Sequence, residues 1–198
     1  MESKPVSIDY WKGANGNAYT ERNSSIDGRV GMFSEILEKL PVLPRSLLEV
    51  GANRGLNLDA ISSLLNARLI GMEPNSQARE QMAHESLDGI AQNIPLPDNS
   101  VDMVFTCGVL IHVPPPDLIQ TCNEIYRVAS KYIVCIEYFA DKLEEITYRG
   151  QNGLLWKQDF GKVYLDMFPE LRVLGWGFFW KPMTGLDNTT YWIFQKSN

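Results

Sequence analysis

Short apolar runs alternate along this chain with longer stretches whose apolar residues recur at helical spacing. The runs Ser46–Val50, Arg68–Met72, Val101–Cys107 and Lys131–Ile136 have the length and composition of buried strands. Between them, Val30, Met32, Phe33, Ile36, Leu37 and Leu40 form one helical stripe, which Pro41 and Pro44 end before the first strand. Leu56, Ala60, Ile61, Leu64 and Leu65 form a second. A polar helix capped by Ser76 is expected to run to about Glu85 and to carry His84 on its solvated surface. The third strand is expected within Leu87–Gln92, a short and mixed stretch. After the stop Pro114-Pro115-Pro116, Asp117 is expected to cap a helix burying Leu118, Ile119, Cys122, Ile125 and Tyr126.

The C-terminal third continues differently. Val163, Leu165, Met167 and Phe168 predict a short helix ended by Pro169. Leu171–Trp180 and Thr189–Lys196 are aromatic, β-branched runs that read as a closing hairpin, with Trp176 and Trp180 expected in the core. Two stretches fit neither period. Residues 1–30 are polar and glycine-dotted and read as an N-terminal arm or lid. Residues 140–162 are too long for a simple connection and read as a loop insertion with a role in binding.

Composition narrows the class. At 198 residues the chain forms one domain, residues 1–198, large enough to bury ~70% of its unfolded surface. A net charge of −6 with no basic run disfavours a nucleic-acid partner. Cys107, Cys122 and Cys135 have no C-x-x-C spacing, and with no signal-peptide core at Met1–Pro5 they read as reduced thiols of a cytoplasmic protein. Two histidines, His84 and His112, cannot build a histidine-rich metal site, so no metal is expected. No window is apolar enough for a membrane span.

The strongest chemical signal is Leu47-Leu48-Glu49-Val50-Gly51-Ala52-Asn53-Arg54-Gly55, a strand turning tightly into a helix. Glycine at such a turn accepts positive φ and lets a ligand approach the backbone. Unpaired N–H groups at the helix start then face that ligand. Glu49 is an acid in an apolar strand, where burial is costly without a donor-rich partner. Glu73 ends the second strand before Pro74, placed to accept hydrogen bonds from ribose hydroxyls. A dinucleotide fingerprint needs G-x-G-x-x-G, but Ala52, Asn53 and Arg54 separate Gly51 from Gly55 here. The missing middle glycine disfavours a nicotinamide oxidoreductase and suits a nucleoside ligand without pyrophosphate.

The pattern E-x-G-x-x-x-G followed by Glu73 resembles the first two motifs of class I S-adenosylmethionine-dependent methyltransferases, with Asn53 in place of the family's central glycine. The segment Leu96-Pro97-Asp98-Asn99-Ser100-Val101-Asp102-Met103-Val104 is similar to that family's L-P-x-x-D-x-S-F-D-x-V stretch. The resemblance implies an α/β, Rossmann-like fold. Its sheet has seven strands, mostly parallel with an antiparallel C-terminal strand, and helices on both faces. It also implies S-adenosylmethionine as cofactor. Glu49, Gly51, Ala52, Asn53, Gly55, Glu73 and Pro74 would hold it, with Ile90 and Ala91 beside the adenine. Cys107, Gly108 and Val109 would line the methionine moiety, and Tyr19 and Arg22 of the arm would contact its carboxylate.

Candidates for the acceptor side follow from position. His112 is a candidate base or substrate contact, since neutral imidazole accepts a proton near pH 7. Glu137 and Tyr138 end the fifth strand, where ligands of open α/β sheets bind. Tyr148, Arg149 and Lys157 in the 140–162 loop offer charge and aromatic faces to an anionic substrate. Y-R-G with L-x-W-K-x-D-F-G, together with W-x-G-x-x-G-N-x-Y-x-x-R-N in the arm, is similar to the pseudaminic-acid-biosynthesis-associated methylase group. That likeness implies a small, sugar-like, anionic acceptor. Two alternatives stay open: a methyltransferase of this fold acting on another small natural-product amine or acid, and a non-catalytic S-adenosylmethionine-binding module.

Overall fold

The structure, a computed structural model, describes residues 8–23 and 25–197, so the expectation about Met1–Pro5 lies outside the described residues. The chain begins with α1 (Asp9–Lys12), α2 (Ala14–Arg22) and α3 (Arg29–Glu38). Alternating units follow: β1 (Ser46–Val50), α4 (Leu56–Ser62), β2 (Arg68–Met72), α5 (Ser76–Arg79), β3 (Glu85–Leu87) and β4 (Val101–Cys107). A 3-10 turn (Leu110–His112), α6 (Pro115–Val128) and β5 (Ala129–Glu137) complete them. The remainder comprises β6 (Glu144–Tyr148), β7 (Gln151–Lys157), α7 (Phe160–Met167), β8 (Arg172–Phe179), α8 (Lys181–Thr184) and β9 (Thr189–Gln195).

Seven strands form one sheet in the order β3-β2-β1-β4-β5-β9-β8. The first five in that order run parallel, while β9 lies antiparallel between β5 and β8. This is the Rossmann-like arrangement expected. The strands are apolar on both sides because both faces are covered. Leu48, Val50 and Ile70 pack with Leu118, Cys122 and Ile125 of α6 and Phe160 and Tyr164 of α7 on one face. Leu47, Leu69 and Met103 pack with Phe33 and Ile36 of α3 and Leu58 and Ile61 of α4 on the other. The chain leaves β1 toward β2 on one side and reaches β4 on the other, so a crevice opens at the carboxyl ends of β1 and β4. Among the described residues no helix is long and apolar enough to cross a membrane.

Five local expectations are corrected. The polar helix stops at Arg79 rather than near Glu85, and Asn75 caps it, its side-chain oxygen accepting from the Ala78 N–H at 3.0 Å. The chain then straightens early: Glu85–Leu87 pairs with Ile70–Met72, and Arg68 grips the Glu85 carboxylate with two bonds of 2.7 and 2.8 Å. His84 is half-buried against Asp59 at 3.0 Å rather than solvated. Helix α6 starts at Pro115 with Pro114 as its cap, leaving Asp117 in the first turn and Ile119 exposed; a proline here forfeits no helix bond.

The last two concern the tail. Residues 140–162 are not an irregular loop. They form the β6–β7 hairpin, closed by Arg149 and Gly150 at φ 52° and 76°, and then the start of α7, capped by the Asp159 carboxylate. A two-residue hairpin turn needs positive φ at both centres, and arginine is a poor signal for one. Trp176 and Trp180 are exposed rather than buried, because β8 is the outermost strand.

Candidate functional site

A cavity of 460 Å³ opens over the crevice between β1 and β4. Its floor is the β1–α4 turn. The Gly51 and Ala52 N–H groups both donate to the Met72 carbonyl, at 2.8 and 3.0 Å, which ties the end of β1 to β2. Gly51 has φ 72°, and a Cβ there would lie 2.7 Å from the Val109 side chain, so only glycine fits without displacing it. Asn53, which stands where the family motif carries glycine, has φ 50°. Asparagine tolerates this left-handed region better than most side chains, so the turn keeps its glycine-like path. Gly55, by contrast, does not line the cavity. At φ 83° it starts α4, and a Cβ would strike Met82 at 2.8 Å.

Two carboxylates flank that turn. Glu73 ends β2 and accepts the backbone N–H groups of Asn53 and Asn75, each at 2.9 Å. Burial raises its pKa, and these two N–H bonds pull it back toward the carboxylate. Each of its oxygens keeps a second acceptor direction. Glu49 is buried in β1, and burial pushes its carboxyl up to about 8, against the bond from Asn57 and the charge of Arg29. Asn57 donates to Glu49 Oε1 at 2.6 Å, and Arg29 donates in turn to Asn57 Oδ1. Glu49 Oε2 is buried with no hydrogen-bond partner among the described residues, although Glu49 lines the cavity. An unpartnered oxygen beside the cavity suits a donor, and a cation bound there would favour the charged carboxylate over the protonated form that burial promotes.

Pro74, Ile90, Ala91, Cys107, Gly108 and Val109 all line the cavity. The Cys107 thiol is pushed up to about 12 by burial and by Glu49, so it lines the site as a neutral group. Tyr19 forms part of the wall with its hydroxyl pushed up to about 12 by burial. Arg22 does not reach this cavity. It lies exposed over the outer face of Tyr19, with its guanidinium carbon 5.9 Å from the ring centre, and the arginines lining the cavity are Arg29 and Arg54.

His112 lines the cavity from the 3-10 turn after β4, its ring 4.6 Å from Trp11 and 5.3 Å from Tyr148. Its Nδ1 lies 2.6 Å from the Leu154 carbonyl. A carbonyl only accepts, so Nδ1 carries the hydrogen and Nε2 is left as a bare acceptor. Burial pulls its pKa down to about 4, only partly offset by the Leu154 bond, so the ring is neutral at pH 7.

The remaining acceptor-side candidates separate. Glu137 does not project into the cavity. It is fully buried beneath the turn after β4, where it accepts the N–H groups of Val109 and Ile111 at 3.2 and 3.4 Å. Burial pushes it up to about 7 against those bonds. Tyr138 donates to Asp187 at 2.9 Å, and Lys157 lies over the Tyr138 ring, so both lie outside the cavity. Tyr148 and Arg149 instead join Arg22 around a smaller pocket of 120 Å³ on the far side of Trp11 and Tyr19, which wall both spaces.

Sequence reasoning missed Arg29, Asn57, Thr20 and Trp11. Asn57 had a signal, a polar residue between Leu56 and Leu58 in the first turn of a helix with an apolar face. Thr20 also had a partner that only folding reveals: its hydroxyl bonds Gly16 O and Asn53 Oδ1, docking α2 onto the glycine turn.

Residues 48–135, which span the glycine turn, Glu73 and β4, match the family described as methyltransferase domain. No curated protein matches the chain. The fold is similar to that of the 1,6-didemethyltoxoflavin-N1-methyltransferase of Burkholderia thailandensis, solved with 1,6-didemethyltoxoflavin and S-adenosylhomocysteine. The TM-score is 0.69 at 11% identity, over 100% of this chain and 94% of that one. A S-adenosylmethionine-dependent methyltransferase of Leishmania major matches with TM-score 0.74 at 16% identity, over 94% and 80%. The magnesium protoporphyrin IX methyltransferase of Synechocystis PCC 6803, solved with bound S-adenosylmethionine, matches with TM-score 0.66 at 12% identity, over 96% and 95%. Residues 48–135 thus match a methyltransferase-domain family, and the chain has the Rossmann-like fold seen in these solved S-adenosylmethionine-dependent methyltransferases.

Proposed function

We propose that this protein transfers a methyl group from S-adenosylmethionine to a small, anionic, sugar-like acceptor of the nonulosonic acid type, in the cytoplasm. The observation that carries the cofactor reading is the Glu49 carboxyl, which belongs to the cavity lining and has one oxygen bonded to Asn57 and the other buried with no partner among the described residues. A cationic ammonium is the group that such an oxygen recruits. Glu73 takes the ribose hydroxyls, the bare backbone at Gly51 admits close approach, and Ile90 and Ala91 flank the adenine. When bound, the cofactor supplies a methyl activated on a sulfonium.

The protein's own part is alignment and exclusion of water. His112 Nε2, a neutral acceptor clamped between Trp11 and Tyr148, orients the hydroxyl or amine of the acceptor. A base with a pKa near 4 is too weak to hold a proton at neutral pH, so His112 acts by accepting a hydrogen bond. Arg22 and Arg149, in the smaller pocket that shares Trp11 and Tyr19 with the cavity, meet the anionic end of the acceptor as it approaches past these two rings. A guanidinium pair next to the reaction space suits a carboxylate, which it can bind bidentately.

The test is labelled-methyl transfer to a panel of free and nucleotide-activated sugar acids and their neutral esters, read by mass spectrometry. Transfer to the acids with release of S-adenosylhomocysteine is expected, with Arg149→Gln raising KM for the acid while cofactor affinity holds. Preference for neutral esters would overturn the anionic reading. Tight cofactor binding with no transfer to any acceptor would leave the non-catalytic module in its place.

A further inference from the structure

We propose that the protein associates with a second copy of itself through strand β8, joining two seven-stranded sheets edge to edge. Among the described residues β8 pairs with β9 alone, so its other backbone edge is open. Natural sheets blunt such edges with charge, proline or short length. Between Val173 and Phe179 this strand carries no charge and no proline, and Trp176 and Phe178 are 72% and 57% exposed.

The two faces of β8 differ. Gly177 lies against the Tyr191 ring, where a Cβ would come within 2.6 Å, and Phe179 is buried and stacked on Tyr191. That face is finished. On the opposite face α7 covers β9, its Gly161 set against the Trp192 indole. The next strand outward presents Trp176 beside Trp192 and Phe178 beside Thr190 to solvent. Trp180, 54% exposed, and Met183, 79% exposed, continue the apolar surface past the strand end.

The second copy is the occupant that the strand's own pattern fits. The register irregularity of β8 lies between Val173 and Gly175, and pairing is regular from Gly175 to Phe179. An antiparallel pairing of this segment with itself has its two-fold axis at Gly177. It sets Trp176 opposite the second copy's Phe178, and Phe178 opposite the second copy's Trp176. Aromatic cross-strand pairs of this kind are favourable, and a closed two-fold contact uses one patch twice. Trp176, Phe178, Trp180 and Met183 together leave about 600 Å² of side-chain surface open on each copy. Two such patches reach about 1,200 Å², the lower end of specific interfaces, before the new backbone bonds are counted.

Sedimentation equilibrium across the micromolar range tests this on the full chain, independently of cofactor or acceptor. The wild type is expected to be a monomer–dimer system. Trp176→Lys and Phe178→Lys, singly and together, should weaken dimerisation by about 100-fold or more with circular dichroism melting unchanged. Leu64→Lys, at an exposed apolar site after α4 and across the sheet from β8, should leave the dimer intact. A wild type that stays monomeric would overturn the proposal, as would open-ended association or a dimer indifferent to both lysines. A monomer that captures a different protein at this edge would overturn it equally.

Discussion

The close approach of Gly51 to Val109 allows a quantitative test of the turn that holds the cofactor. Gly51→Ala forces a non-glycine residue to φ 72° and sets its Cβ 2.7 and 3.1 Å from the two Val109 methyl carbons. The backbone component costs about 1–2 kcal/mol. Crowding against Val109 adds about 1–3 kcal/mol, because Val109 is itself packed against the core and has little room to retreat. The two components separate in a double-mutant cycle. Val109→Ala removes both crowded methyls, so Gly51→Ala/Val109→Ala should recover the crowding component and keep the backbone cost. Urea denaturation should therefore give a coupling of about 1 kcal/mol or more in favour of the pair. Calorimetric titration with S-adenosylhomocysteine should follow the same order, with affinity lost in Gly51→Ala and regained in the double variant. Additive costs would refute the assignment of Val109 as the crowded neighbour. Wild-type affinity in Gly51→Ala would refute the role of this turn as the ligand's cradle.

Two further substitutions probe the buried carboxylates. Glu73→Gln keeps an oxygen for one backbone N–H but loses the charge, so S-adenosylhomocysteine affinity should fall by about 2 kcal/mol; unchanged calorimetric affinity would reject the ribose role. Glu137 has a folded-state pKa raised from 4.5 to about 7, so the stability tied to its proton is present below pH 4.5 and lost as pH rises through about 7. That component is worth about 3 kcal/mol at most. Glu137→Gln has no such proton, so the stability difference between wild type and variant should shift in the variant's favour between pH 4.5 and 8. A pH-independent difference would show that Glu137 is already ionised throughout.

Much of this architecture is legible in the chain. Strands β1, β2, β4 and β5 stand out as apolar runs because both sheet faces are covered, and their partners in α3, α4 and α6 carry helical stripes. The glycine turn and Glu73 stand out because sharp turns and buried acids are restricted to few residue types. β3 does not stand out: three residues at a sheet edge bury too little to leave a pattern. The Arg149-Gly150 hairpin turn is hidden by an arginine at positive φ, a conformation its side chain does not advertise.

The site divides along the same line. Local composition alone established a glycine turn between a strand and a helix and an acid at the end of each of the first two strands, because those constraints act within a few residues; the pairing of β1 with β2 is what brings Glu73 onto the turn. Whether an arginine of the N-terminal segment reaches the cavity is a matter of how α2 and α3 dock, and folding brought Arg29 there and not Arg22. Glu137 turned inward to the N–H groups of Val109 and Ile111, whereas strand-end position alone pointed it at substrate. Trp176 illustrates the reason most simply. A periodic pattern reveals that two faces differ, but only the element packed over a face, or its absence, decides whether that face is core or surface.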